Sequence, residues 1–165
     1  MIKRTKPRSV QSQLGRMEKR WPELRPRLAH SNQLLVWIGP LRGFQMSYTV
    51  QIQWEWQNPK AVPLAFICEP KLRPREGEDF IDLPHLRYNS DKPEDSALCL
   101  YDSDTGEWKS TMLIADTTVP WVSEWLHHYE IWHLDGAWHG ANAPGPISIR
   151  EMMVIERDEA DGART

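Results

Sequence analysis

Gln45-Met46-Ser47-Tyr48-Thr49-Val50-Gln51-Ile52-Gln53-Trp54-Glu55-Trp56-Gln57 alternates polar and apolar side chains without a break across thirteen residues. Only a strand sends successive side chains to opposite faces, so the stretch predicts a strand with one buried face. Upstream, Leu34 to Ile38 reads as a strand closed by Gly39-Pro40. Downstream, Asn58-Pro59 turns the chain, and Val62 to Cys68, with Pro63 near its start and Pro70 behind it, makes a third strand. Together they predict an antiparallel β-meander.

Helical spacing replaces this alternation on either side. From Ser9, available as a cap, Val10, Leu14, Met17 and Trp21 predict an amino-terminal helix that Pro22 ends. Residues 22–33, interrupted by Pro22 and Pro26, read as an irregular or short helical connector. From Thr118, Pro120 falls in the first turn, Val122, Trp125, Leu126, Tyr129 and Trp132 form one stripe, and Gly136 supplies the stop. This predicts a Trp-rich central helix. Residues 136–146, rich in Gly, Ala and Pro, are loop; Ile147 to Ile155 is a short amphipathic element of either type; 157–165 reads as a flexible tail. The order gives an α+β fold in a single domain over 1–165.

With 165 residues the chain buries roughly 70% of its unfolded surface in one core. Nine Trp dominate its packing or supply a contact face, core being the default. Charge is unevenly spread. Residues 1–28 carry nine Lys or Arg against Glu18 and Glu23, a balance of +7, while the remainder stands at −10. This segment, with a basic extension at about 1–8, reads as a solvated face, with docking to an acidic protein surface or contact with nucleic acid as the alternatives. No nucleic-acid module accompanies it, and the aromatic residues lie elsewhere.

Between meander and central helix, residues 71–97 change character. Pro, Arg, Asp and Glu are scattered among few apolar positions, predicting a long surface loop of the kind that carries function. It leads through Pro84-His85 and Asn89 into Ser96-Ala97-Leu98-Cys99-Leu100-Tyr101, followed by a polar turn at Asp102-Ser103-Asp104-Thr105-Gly106. A thiol on a short extended segment, between a His/Asn-bearing loop and a packed helix, is rigid yet open to a macromolecular partner. Acyl transfer needs the thiolate, and an ordinary pKa of ~8.5 leaves little of it at neutral pH without help from N–H groups or a cation. His85 is the candidate to orient or polarise the thiol, and Asn89 the candidate donor to the oxyanion. The alternative for both is bracing the loop through backbone hydrogen bonds. The alternative for Cys99 is an inert packed thiol; Cys68, beside Phe66, Ile67 and Pro70, reads as that kind.

Other chemistries find no support. Two cysteines make no disulfide framework, there is no secretory signal, and no apolar stretch approaches the ~20 residues that span a bilayer, so a soluble, reducing, cytoplasmic setting is expected. His127, His128, His133 and His139 lack one-face helical spacing and a Cys pair, so no metal site is predicted. Asp102, Asp104, Asp116 and Glu107 suffice for an acid/base pair in number only. Without a glycine-rich phosphate cradle the chain has no means of activating a carboxylate with ATP, so an activated donor must come from outside.

The segments Pro84-His85-Leu86, Leu98-Cys99-Leu100-Tyr101, Glu107-Trp108, Ile114-Ala115-Asp116-Thr117-Thr118-Val119-Pro120-Trp121, Glu124-Trp125-Leu126 and Tyr129-Glu130 also carry a resemblance. Over residues 34–140 the chain resembles the standalone ubiquitin-conjugating-enzyme-like protein of bacterial type II CBASS antiphage operons. The resemblance implies a ubiquitin-conjugating-like fold and work beside a cGAS-like nucleotidyltransferase that makes a cyclic nucleotide signal. It implies that Cys99 takes the carboxyl terminus of that synthase as a thioester, for transfer to an amine or another molecule, with no cofactor. The sequence departs from the eukaryotic enzymes in lacking a His-Pro-Asn tripeptide, His85 and Asn89 being the nearest equivalents. It also matches only in part, at Gly136-Ala137-Trp138-His139-Gly140-Ala141-Asn142, the family's glycine-rich, His-Pro-containing stretch. An opposing expectation keeps the fold and the partner but not the catalysis: Cys99 is structural and exposed Trp108, Trp121 or Trp138 anchor the contact.

Overall fold

A computed structural model describes residues 6–101, 106–140 and 148–163 of the chain. Its centre is a four-stranded antiparallel sheet in the order β1-β2-β3-β4, built from β1 (Arg25–Ala29), β2 (Leu34–Arg42), β3 (Ser47–Trp54) and β4 (Leu64–Glu69). β3 is the strand that the alternation predicts. Tyr48, Val50, Ile52 and Trp54 are buried while the residues between them are not. It is shorter than the pattern at both ends, with Met46 48% exposed in the preceding turn and the Trp56 indole donating to the Asn32 carbonyl beyond it.

Two strand expectations need correction. The stretch 22–33 is not a connector of irregular or helical form but contains β1, followed by a turn in which His30, Ser31 and Asn32 all adopt positive φ. β1 lies at the edge of the sheet and leaves Leu28 54% exposed, so it carries no apolar alternation for a pattern to reveal. Pro26 is tolerated there because an edge strand leaves half its N–H groups without a ladder partner. β2 does not close at Gly39-Pro40 but continues to Arg42, with Pro40 opposite Thr49. β1 pairs only with Leu34 to Ile38, so at Pro40 the strand has a neighbour on one side alone, a setting in which proline is tolerated.

The amino-terminal helix α1 (Val10–Arg20) starts, as expected, at Ser9, whose hydroxyl accepts from the Ser12 N–H. Its buried side chains, Gln13 and Met17, fix it to a distant segment. The Gln13 amide donates to the Met112 carbonyl at 2.9 Å and accepts from the Ile114 N–H at 2.9 Å. Arg20 and Arg16 meet Asp116, and hydrogen bonds from these two guanidinium groups hold that carboxyl below the usual carboxylate range. The basic amino-terminal segment is therefore partly structural. Arg8 also bonds back, through its backbone and Nε, to the carbonyls of Ser110 and Thr111. Lys3 and Arg4 lie outside the described residues.

The central helix α2 (Thr118–Asp135) buries the predicted stripe of Val122, Trp125, Leu126, Tyr129 and Trp132 and ends at Gly136, whose φ of +78° suits glycine. The expected surface loop at 71–97 is better anchored than its polarity suggests. Leu72 and Leu83 are 2% and 1% exposed, and β5 (Leu86–Arg87) pairs antiparallel with β6 (Ala97–Leu98). The carboxyl-terminal region also differs from expectation. Residues read as a short element and a tail form one helix, α3 (Ile149–Gly162), opened by a reciprocal cap between Ser148 and Glu151 and carrying no buried residue. Its apolar spacing stops at Ile155, but the run from Glu156 to Asp161 continues on good helix formers and acids rather than on core contacts. Parts of the expected loop at 136–146 and of the polar turn at 102–106 lie outside the described residues.

Packing makes two glycine positions respond oppositely to one methyl. A Cβ at Gly39 would stand 2.2 Å from the Glu23 carbonyl oxygen, a backbone atom, whereas a Cβ at Gly15 in α1 meets nothing within 4 Å. Gly39→Ala is expected to lose about 1–3 kcal/mol of unfolding free energy and Gly15→Ala to gain about 0.5–1 kcal/mol, both read from urea denaturation midpoints.

Candidate functional site

The β5–β6 ribbon decides which of the candidate residues meet. Leu86 pairs with Leu98 and Arg87 with Ala97, so the next pair outward is His85 with Cys99. There the Cys99 N–H donates to the His85 carbonyl at 2.9 Å. The indole N–H of Trp125, reaching across from α2, donates to the same oxygen at 3.0 Å. His85 itself has a φ of +53°, a left-handed conformation uncommon for a residue with a side chain. The backbone of His85 therefore holds the thiol segment, and a buried indole that needs an acceptor holds the backbone of His85.

Cys99 is half-buried, and its Sγ lies 3.7 Å from the Tyr101 carbonyl oxygen, within reach of a weak S–H···O bond. Neither Cys99 nor Cys68 is in a disulfide among the described residues. Cys68, at the end of β4, is also half-buried, and burial pushes its thiol up from the ordinary value. Tyr101 is buried against Trp121 with ring centroids 5.5 Å apart, and the Arg87 guanidinium stands 6.0 Å from its ring centre.

The His85 ring is tucked beside Trp138 at 5.1 Å. Its Nε2 is buried and has no hydrogen-bond partner among the described residues. Burial lowers its pKa below the ordinary histidine value; Glu151 opposes the drop and His128 adds to it. Loss of hydration penalises the charged imidazolium, so the ring is neutral at physiological pH. It can accept a proton or a hydrogen bond but supplies no cation for a thiolate.

Asn89 is not brought to Cys99. Its backbone N–H bonds to the Ser96 hydroxyl, three residues before Cys99, which puts it about 10 Å along the ribbon. Its side-chain oxygen accepts from the N–H groups of Asp91 and Lys92, so it braces the turn, and the expected oxyanion contact is corrected accordingly. Trp108 is corrected too. At 6% exposure it is core, with no partner for its indole N–H among the described residues, and offers no surface to anchor another protein. Trp121 and Trp138 are half-buried and flank the thiol segment through Tyr101 and His85. Trp138 lies between His85, Trp125 and His128, closed over by Gly140, where a Cβ would come within 2.6 Å of its indole nitrogen.

Among the described residues no group of His, Cys, Asp or Glu could hold a metal ion. The histidines of this region meet other groups: His127 packs on Phe44 and His128, His128 on Trp138 and beside Glu124, His133 on the Arg73 carbonyl, and His139 on Asp135 at 2.6 Å. Glu107 is exposed and Asp116 is held by two arginines, while Asp102 and Asp104 lie outside the described residues. No helix among the described residues is long and apolar enough to cross a membrane. Trp125 is the site residue that the sequence did not disclose. It stands in a packing stripe, and only the need of a buried indole for an acceptor marks it as more than packing.

The family model described as type II CBASS E2 protein matches residues 13–146, which takes in the whole of this site. Comparison with curated proteins gives no match.

Replacing Trp125 with Phe keeps most of the ring packing and removes the N–H. The expected result is about a fivefold loss of hydrogen-exchange protection at the Cys99 amide, with amides of β2 and β3 unchanged. Uniform loss across the chain would instead mean that Trp125 serves general packing.

Proposed function

The chain belongs to the type II CBASS E2 protein family, and on that premise we propose that it is a conjugating-type acyl carrier working through Cys99. Support for a ubiquitin-conjugating-like architecture comes from the element order: helix, four-stranded antiparallel sheet, thiol segment, central helix. The observation that carries the reading is Cys99 itself, half-exposed outside the main sheet on a segment whose backbone is tied to His85 and, through it, to α2. A nucleophile held this way loses little freedom on meeting its acyl donor.

In the proposed reaction the Cys99 sulfur attacks the activated carboxyl carbon at the end of a cGAS-like nucleotidyltransferase. The thiol proton is given up to solvent, a C–S bond forms, and the activating group departs with its electron pair. An amine then attacks the thioester carbonyl. The C–N bond forms, the C–S bond breaks with its electron pair going to sulfur, and the proton that the amine loses passes through solvent or the neutral His85 ring to the departing thiolate, which restores the thiol. The Cys99 N–H is already committed to the His85 carbonyl, so the oxyanion must be met by a different donor. The tail of the partner lies along the segment between Trp121 and Trp138. The chain supplies the acyl-carrying thiol and not the activation, in keeping with its lack of a phosphate-binding motif, and it acts in the cytoplasm without a cofactor.

The test is covalent capture after co-expression with a cGAS-like nucleotidyltransferase. The expected product is a chain–synthase adduct cleaved by dithiothreitol. Cys99→Ala abolishes it, Cys99→Ser converts it to a thiol-resistant ester, and Cys68→Ser leaves it intact. An adduct that survives Cys99→Ala, or full antiphage defence by Cys99→Ala alongside its loss in Trp138→Ala, overturns the reading in favour of a non-catalytic docking module.

A further inference from the structure

A concave site lies on the far side of α2's aromatic stack from Cys99. It is a cleft of about 430 Å³ between the turn joining β2 to β3, the segment after β4, and the last turns of α2. That volume falls within the range of ordinary ligand sites. Its floor is Tyr48 and Tyr129, both buried and packed edge to face at 6.4 Å. Its rim is apolar and exposed: Phe44 44%, Met46 48% and Leu134 74%. Three exposed large apolar side chains thus converge on one depression although they come from two distant stretches of chain.

The polar groups of the cleft are unequally occupied. The Glu130 carboxylate already accepts from the Gln45 N–H at 2.7 Å and the Met46 N–H at 3.2 Å, one bond to each oxygen. The Tyr129 hydroxyl accepts from the Arg73 N–H and donates to the Arg73 carbonyl, and the His133 ring contacts that same carbonyl. Lys71 is paired with Asp95. The Arg73 guanidinium is exposed and makes no side-chain hydrogen bond or ion pair among the described residues. The backbone N–H and carbonyl of Arg73 are thus already committed within the chain. Recognition there rests on an apolar surface and on Arg73, the lining cation left unpaired among the described residues.

We propose that this cleft docks a short segment of a protein partner in which a large apolar side chain stands next to a carboxylate, the side chain entering between Phe44, Met46 and Leu134 and the carboxylate pairing with Arg73. A charge-assisted Arg–carboxylate contact at the edge of an apolar depression gives direction to an otherwise unspecific contact. The proposal does not depend on the chemistry of Cys99.

The experiment titrates the isotope-labelled full chain with the peptide acetyl-Ala-Phe-Glu-Ala-amide and with its Glu-to-Gln counterpart, following backbone amide signals. The expected result is saturable shifts confined to residues 43–46, 71–73 and 129–134, with the Gln peptide binding about fivefold more weakly. Arg73→Gln removes the difference between the peptides, and Leu134→Ser weakens both. Both positions are exposed, so neither variant disturbs the fold. Cys99→Ala binds the peptide as the parent does, which separates failure here from failure of the thioester reading. Absence of saturation, shifts mapping elsewhere, or equal affinity of the two peptides for the parent overturns the proposal.

Discussion

The carbonyl oxygen of His85 accepts two hydrogen bonds, one from the Cys99 N–H and one from the Trp125 indole, and by doing so joins the thiol segment to the centre of the protein. β5 and β6 are two residues each and too short to hold a loop in place by pairing alone. A carbonyl has two acceptor positions, and here both are used, one within the ribbon and one toward the core. The positive φ of His85 is compatible with this arrangement because both bonds reward the backbone geometry that presents the oxygen.

The same device recurs. Irregular segments cannot satisfy their backbone groups by pairing, and burial forbids leaving them to water. In this protein the helices supply the missing partners through long side chains. Gln13 of α1 serves the segment at 112–114, Tyr129 of α2 serves both backbone groups of Arg73, and Trp125 serves His85. Aromatic residues suit this role because a rigid ring buries a large apolar area and ends in one polar atom. The rings also pack on one another, Trp138 on Trp125 at 5.3 Å and Trp125 on Tyr129 at 5.3 Å, so the thiol segment and the cleft beside Arg73 rest on opposite ends of one stack. Abundance of Trp in this chain is thus partly a matter of anchoring loops.

Periodic elements were legible from the residues alone. β3 and α2 announce themselves because each buries one face, and a buried face imposes its period on the sequence. β1 stayed hidden because an exposed edge strand imposes none, and the end of β2 was misplaced because Gly39-Pro40 is a turn signal wherever the backbone is free to turn. α3 was legible only as a short amphipathic element of either type, as far as its apolar spacing ran. At the site, Cys99 and His85 were identifiable as neighbours-to-be, but the part of His85 that matters to the segment is its carbonyl, about which a side chain says nothing.

What the residues determined by themselves is the class of fold, the position of the thiol between sheet and central helix, and the family that the chain joins, since all three follow from period, order and residue identity. Tertiary structure alone decided that His85 meets Cys99 while Asn89 braces a turn about 10 Å away, that Trp108 is core and Trp138 is not, and that Trp125 is a tether. Those outcomes depend on ribbon register and on which backbone groups are left without a partner. Both are properties of the assembled chain, settled when distant segments compete for the same hydrogen bonds.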